Sequence, residues 1–491
     1  MTREFVAGAR PEEDLDLLLV NTPLRDYQER PRTNNYTLPV LGMGYIATLA
    51  AVEGFNVGVL DAESEGLAYE QTKEIINRLK PRWAGFGLLA PTYEASANIC
   101  NSLNSDINIL LGGHQAKAVA REILIDPRMR NCKALVIGEG ETRTVELLRN
   151  IDNRTRLPGV MWLADNRNIM MGEAKGDSEY YTAPDIDTLP LLDRKFLPQD
   201  PYTDESGVVH ANIVSARGCP YNCSFCGGAA SVNPDIKIRS RSPESVVYEM
   251  NMLNKKYGVT SFRFVDDLFL GNRRMIADMT SAFAAANIGE WAQWSGTGRI
   301  NVFDRLSNNQ INLMHESGLK EIAFGIESGN EHVLKRIDKR IDTEMTRRVV
   351  SKLLERGIDV KGYFILGHVD ETEDEIRDTL SLIHELWSFA DSLKGNFRAS
   401  TFEFRPYPGT IDWKRLLCKG FTPEELSNYT AIDLTDRGTR SSMLDRDEFN
   451  FSTNLQIASA PIEFIRESLI SITDMQHKRN LSQENNTSEA T

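Results

Sequence analysis

The sequence predicts an α/β protein: an open, doubly wound parallel sheet, then a partial (β/α)6 barrel of the TIM type, then a mostly helical C-terminal extension. Three observations predict it. Short β-rich apolar runs alternate with amphipathic helical stretches in two regions, roughly residues 14–150 and 208–405. Between them lies a stretch rich in Pro and Asp, "TAPDIDTLPLLDRKFLPQDP". The 491 residues are also too many for one ordinary compact domain.

In the first region the strand candidates are 15–21, 55–61, 83–89, 107–113 and 133–141, separated by runs such as "AYEQTKEIINRLK" with apolar residues at helical spacing. Five βα units of this length make an open sheet that binds ligands at the carboxyl ends of its strands. Glycines gather there, among them Gly42, Gly44, Gly112, Gly113, Gly138 and Gly140. Each lets backbone approach a ligand or permits a tight turn. Residues 151–205 read as a linker.

In the second region "VVHANIVSARG", "SFRFVDD", "WAQWSGTG", "EIAFGIES", "VKGYFILG" and "FRASTFEFR" read as strands. Helices are expected at Pro243–Tyr257, Arg274–Ala286, Leu306–Ser317, Thr343–Arg356 and Glu371–Ala390. Six βα units give a partly open barrel over residues 206–410, with chemistry at the carboxyl-terminal mouth of its strands. A helical extension is expected over 411–479. The polar tail 480–491 cannot bury enough apolar surface to order.

Composition narrows the function. With 41% hydrophobic and 26% charged residues, the chain is that of a globular protein. No apolar run approaches the roughly 18 residues of a membrane span, and the N-terminus lacks a secretory apolar core. A net charge of −14 argues against a nucleic-acid partner. Six cysteines do not make a disulfide framework, so a reduced cytoplasmic setting is expected. Cys100 and Cys132 read as packing residues; Cys418, just past the barrel, keeps a radical-quenching role open.

The chemistry concentrates in "RGCPYNCSFCGG" (217–228). Cys219, Cys223 and Cys226 follow the first barrel strand and can wrap three corners of a cubane, leaving a fourth iron without a protein ligand. A zinc site or an electron-transfer cluster normally takes four protein ligands. An open iron can instead hold a small molecule. The loop, including Phe225, resembles that of the radical S-adenosylmethionine (radical SAM) superfamily. The resemblance implies a 4Fe–4S cluster whose unique iron is chelated by SAM. One electron then splits the sulfonium to methionine and a 5′-deoxyadenosyl radical.

Other segments match the superfamily in order. In "FVDD", Asp266 or Asp267 is implied to bind the SAM ammonium, although Gly-Gly-Glu is more usual there. Arg299 in "GRI" is implied to pair with the SAM carboxylate, and Glu327 and Ser328 in "FGIESGN" to contact ribose or methionine. Ile365 and Gly367 in "GYFILGHVDET" are implied to back the adenine, with Val369-Asp370-Glu371 replacing the frequent Pro-Gly-Glu. Tyr363, Glu403, Arg405 and Tyr407 lie where substrate could be touched.

The first region resembles the cobalamin-binding domain that precedes the barrel in one branch of the superfamily. The resemblance rests on "LGMGYIATLAA", "LLGGHQA" and "IGEGET". It implies cobalamin near Gly112, Gly113, His114, Gly138 and Gly140, without the Asp-x-His-x-x-Gly motif that supplies an axial histidine elsewhere. The expected function is hydrogen abstraction from an unactivated carbon of a small-molecule substrate, a secondary-metabolite or antibiotic intermediate by analogy with the branch. Cobalamin-dependent C-methylation leads. Cobalamin-independent dehydration or deoxygenation of a diol or amino sugar, aided by a carboxyl such as Asp267 or Glu403, is the alternative, as is radical cyclisation. A cobalamin sensor is the non-enzyme alternative. A flavodoxin or ferredoxin is the implied electron donor.

Overall fold

The computed structural model describes residues 4–29, 38–173, 185–230, 238–431 and 451–488. They form two compact units, one ending at Asp200 and one beginning at Pro201.

In the first unit, five parallel strands are ordered β2-β1-β3-β4-β5: β1 (Leu17–Asn21), β2 (Val57–Asp61), β3 (Trp83–Gly87), β4 (Asn108–Gly112) and β5 (Cys132–Val136). These are the five expected strands. Their side chains alternate between two buried layers. Leu18 and Val20 pack with Ile75 of α2 (Tyr69–Leu79), Ile99 of α3 (Tyr93–Asn101) and Ile123, whereas Leu17 and Leu19 pack with Ala47 of α1 (Leu41–Val52) and Val145. Helices on both faces explain why the strands read as continuous apolar runs rather than alternating ones.

The stretch 151–205 departs from its reading as a linker. β6 (Val160–Leu163) and β7 (Ile169–Met171) extend the first sheet as an antiparallel ribbon, with Arg167 at φ +63 in the turn between them. Phe196 is 1% exposed in the first unit, and Arg194 and Asp200 form a buried ion pair there. The ribbon had a signal in "GVMWLADNRNIMM": two apolar runs around an Asp-Asn turn.

In the second unit, six parallel strands curl into an open barrel in the order β16-β15-β14-β13-β12-β9. They are β9 (Val209–Ile213), β12 (Ser261–Phe264), β13 (Gln293–Gly298), β14 (Leu319–Glu327), β15 (Asp359–Leu366) and β16 (Phe397–Glu403). The short β8 (Tyr202–Thr203) pairs antiparallel with β9, and β10 (Ala216–Arg217) with β11 (Arg239–Ser240). Alternation separates the faces. Phe262, Trp294, Ile322, Phe324 and Phe364 turn outward into a core with Met250 of α4 (Pro243–Tyr257) and Leu353. Arg263, Ser295, Glu321 and Lys361 turn inward, where they line cavities.

The helices begin at capping residues. Ser242 precedes Pro243 at the start of α4, and Thr372 with Glu375 forms a capping box on the 20-residue helix Glu373–Ser392. The last helix, Ile462–Ser488, packs on β16: Gln476 Oε1 accepts from Ala399 N at 2.8 Å and from Trp387 Nε1 at 2.9 Å. It covers a strand edge that closure would otherwise have to remove. The tail expected to be disordered from 480 is helical through Ser488; residues 489–491 lie outside the described residues.

Candidate functional site

The cysteine loop follows β10 and is held from three sides. Asp266, after β12, accepts from Ser215 N at 2.8 Å and Ser215 Oγ at 2.6 Å. Asp267 accepts from Gly218 N at 3.3 Å, where Gly218 takes φ +91. Ser224 donates from N to Ile337 O at 3.0 Å and from Oγ to Asp412 Oδ2 at 2.8 Å, and its carbonyl accepts from Asp412 N. Within the loop, Cys226 N donates to Cys223 O and Ala229 N to Cys226 O, turns that hold the second and third cysteines close together.

The thiols sit among donors and cations. Arg299 Nη1 lies 3.6 Å from Cys223 Sγ, and Gly228 N donates to Cys226 Sγ at 3.3 Å. Burial pushes the Cys226 thiol up to about 12, opposed by the Gly228 amide and the charge of Lys339. Burial also raises Cys219, opposed by its hydrogen bond with the Tyr221 backbone and by Arg299. The Cys223 thiol raises both Cys219 and Cys226, and Cys219 raises Cys226, so the three share one site. Among the described residues no three His, Cys, Asp or Glu side chains converge on a single ion. A mononuclear zinc site needs such convergence. A polynuclear cluster does not, because each thiolate meets its own iron. The triad with its amide and cationic surroundings therefore fits a cluster of net negative charge.

Glu327 ends β14 at φ +69, where the register with β15 shifts, and its carboxylate pairs with Lys339 Nζ at 2.6 Å. Both side chains are less than a tenth exposed. Gly325 makes room for them: a Cβ there would stand 2.2 Å from Glu327 Oε1 and 2.7 Å from Lys339 Nζ. Lys339 Nζ lies 5.8 Å from the Phe225 ring, and the Lys339 carbonyl accepts from Arg299 Nη2. Sequence reasoning missed Lys339. It sits in the polar run "KRIDKRID", and only the fold carries it to the cysteine loop.

A cavity of about 400 Å³ runs from Phe225 and Cys226 into the barrel. Of the residues expected at SAM, Phe225, Glu327 and Ile365 line it. Asp266, Asp267, Arg299, Ser328 and Gly367 are not among its lining residues. Asp266 is buried, its carboxylate is used on the loop, and desolvation raises it to about 7 against the Ser215 and Ala216 hydrogen bonds. Arg299 stacks on Tyr221, 3.5 Å from the ring centroid, instead of facing open space. Ser328 is fully buried against Thr379 Oγ1 at 3.1 Å, and the Gly367 amide donates to Glu371 Oε2 at 2.7 Å. Tyr363, Glu403, Arg405 and Tyr407 do reach the cavity. Glu403 is engaged by Ser452 Oγ and by Arg466 at 3.5 Å.

Behind Phe225 lies a second missed residue, His368, T-shaped to it at 5.6 Å. Neither ring nitrogen of His368 has a hydrogen-bond partner among the described residues, and burial lowers its pKa to about 3.

In the first unit, Gly112 ends β4, Gly113 takes φ +93 and His114 opens the five-residue helix His114–Ala118. A Cβ at Gly113 would stand 2.6 Å from Leu88 O, so only glycine fits this close crossing of the β3 and β4 ends. Gly138 takes φ +91 after β5 and Gly140 precedes the helix Glu141–Arg149. His114 and Gly113 are exposed. Bare backbone and an exposed imidazole at the carboxyl ends of β4 and β5 fit a large planar ligand laid on that edge.

Comparison with known proteins agrees with both halves. Residues 213–383 match the radical SAM superfamily and residues 32–148 the B12 binding domain. An uncharacterized methyltransferase of Pyrococcus horikoshii is 27% identical over 404 residues, 81% of this chain and 83% of that protein. The cytidylyl-2-hydroxyethylphosphonate methyltransferase of Streptomyces wedmorensis is 24% identical, with 79% and 80% covered. The anaerobic magnesium-protoporphyrin IX monomethyl ester cyclase of Rubrivivax gelatinosus is 24% identical, with 84% and 73% covered. The fold is shared with the radical SAM methyltransferase TsrM from Kitasatospora setae, solved with cobalamin and a [4Fe-4S] cluster (TM-score 0.58, 17% identity, covering 85% of this chain and 77% of that one). It is shared too with the cobalamin-dependent radical enzyme OxsB (TM-score 0.59, 14% identity, covering 83% and 61%). The two domains bring with them a 4Fe–4S cluster and SAM in the barrel, and cobalamin in the N-terminal unit. The chain is an enzyme that carries a B12-binding domain followed by a radical SAM domain.

Proposed function

We propose that this enzyme is a cobalamin-dependent methyltransferase acting on an unactivated carbon of a small molecule. The observation that carries the reading is the cavity of about 400 Å³ reaching from Cys226 into the barrel, a volume suited to a cofactor fragment and a metabolite. When bound, the cluster supplies the electron that splits SAM and cobalamin supplies the transferable methyl group.

The chain's own residues bind, orient and exclude water. In this reading Cys219, Cys223 and Cys226 ligate the cluster. Asp266, Asp267 and Arg299 hold their loop rigid, with Asp267 alone left exposed enough to meet an ammonium. Phe225 and Ile365 give SAM apolar walls, and Glu327, paired with Lys339, accepts from its hydroxyl or ammonium donors. Phe402, Phe404 and Tyr363 keep water from the reacting carbon. His114 and the glycines at 112, 113, 138 and 140 are proposed to contact cobalamin. A secondary-metabolite substrate, a reducing cytoplasmic setting and a flavodoxin or ferredoxin donor complete the reading; among the described residues no helix is long and apolar enough to cross a membrane.

The test is anaerobic reconstitution with cobalamin and methyl-labelled SAM, followed by product analysis. Label in the product, together with 5′-deoxyadenosine, supports methylation. Unlabelled product with 5′-deoxyadenosine moves the assignment to cyclisation or dehydration.

A further inference from the structure

On the outer side of the cysteine loop lies an open depression lined by Arg336, Val369, Ile411, Lys414, Arg415 and Lys419, together with Asp370 and Cys418. Four cations and one acid line it on a protein whose net charge is −14; Arg336 pairs with Glu375 at 3.4 Å and Arg415 with Asp412 at 2.8 Å. Asp370 pairs with Lys419 at 2.7 Å, whereas Lys414 is exposed and makes no ion pair among the described residues. Val369 and Ile411 give the depression an apolar floor. A basic rim around such a floor is the arrangement of a transient protein interface.

Its position gives it a purpose. The helix Ile411–Cys418, which carries Lys414, starts at Thr410, whose hydroxyl accepts from Trp413 N at 3.1 Å. That start sets Asp412 beneath the rim. Arg415 Nη1 donates to Asp412 Oδ1 at 2.8 Å, and Asp412 Oδ2 accepts from Ser224 Oγ at 2.8 Å. Two hydrogen bonds therefore join a rim guanidinium to the residue that follows Cys223 and stands two before Cys226. Arg415 also reaches Arg336 O at 3.3 Å, and the next carbonyl, Ile337 O, receives Ser224 N.

The geometry points to this depression as the docking surface for an acidic one-electron carrier protein. The inference rests on the radical SAM reading of the site. A reduced carrier bound here would give up one electron to the cluster that Cys219, Cys223 and Cys226 would hold, with no bond made or broken; Asp412 and Ser224 join the rim to that loop. The net negative charge of the enzyme opposes an acidic partner as a whole, so the basic rim would steer encounter to this face, beside the cysteine loop.

Flavodoxin serves as the probe, with dithionite as a small reductant that needs no docking. In the reconstituted enzyme, cluster bleaching is followed by stopped-flow absorbance for wild type, the Lys414→Glu/Lys419→Glu double variant, and Lys255→Glu on a distant helix. The double variant should need at least tenfold more flavodoxin for half-maximal reduction, with dithionite reduction and Lys255→Glu unchanged. Raising salt should slow the wild-type reaction with flavodoxin toward that of the variant. No loss with flavodoxin, or an equal loss with dithionite, overturns the proposal. Calorimetric titration of the protein as purified with oxidised flavodoxin gives an answer that needs no cluster. Affinity lowered by the double substitution supports the surface, and unchanged affinity overturns it even if the radical chemistry is right.

Discussion

Glu327 and Lys339 face each other with little water between them, so neither can lose its partner cheaply. Lys339→Met should destabilise the fold by about 3 kcal/mol, the usual cost of stranding a buried charge. Adding Glu327→Gln should recover most of that loss, read as anaerobic urea midpoints. The turn after β15 makes a second residue-scale prediction. Burial raises Glu371 to about 7, against hydrogen bonds from the His368 and Gly367 amides, while it lowers His368 to about 3. The unfolded chain binds fewer protons at Glu371 between its ordinary pKa and 7, so that group's contribution is full at low pH and is lost as pH rises through that window. His368 works in the opposite sense, its contribution being full above its ordinary pKa and lost as pH falls toward 3. Glu371→Gln should therefore shift the pH of maximum stability upward and His368→Phe shift it downward. Thermal midpoints across pH 4 to 8 check both signs; parallel curves for the two variants would refute them.

At the scale of elements, an open barrel must protect two strand edges. β8 pairs with β9 at one end, and the helix Ile462–Ser488 lies along β16 at the other. Gln476 is the polar tie in that second seam, bonding both Ala399 N and Trp387 Nε1 where the strand and the indole are buried. Gln476→Ala leaves two buried donors without an acceptor and should cost about 2 kcal/mol. Gln476→Glu, which keeps an acceptor, should cost less. A urea series over wild type and both variants decides the order. The same logic explains the loop. Asp266, at the end of one strand, locks the segment after another, so the three thiols are positioned by neighbouring strands and not by the cysteine run alone.

For the whole molecule, two units with separate cores predict separable loading of their cofactors. Gly113→Ala forces a Cβ against Leu88 O in the first unit and should lower cobalt content severalfold while iron and sulfide stay at wild-type levels. Cys223→Ala should do the reverse. Metal analysis of both purified variants is the check, and coupled loss of iron and cobalt in either would contradict it.

Much of this was legible in the chain, because the signals are local. The Cys219-x-x-x-Cys-x-x-Cys226 spacing, the five apolar runs of the first sheet and the alternation in the barrel strands depend on neighbours a few residues away. Such patterns determined the fold class, the order of elements and the place of the cysteine loop. What only the tertiary structure decided are the long-range assignments. It drew Lys339 out of a polar run to meet Glu327, spent Asp266 and Arg299 on the loop, and buried Ser328 away from the cavity. It also built 151–173 and 185–200 into the first unit. A charge's partner depends on which strands end side by side, and that is set by packing over the whole sheet, which no short window of sequence contains.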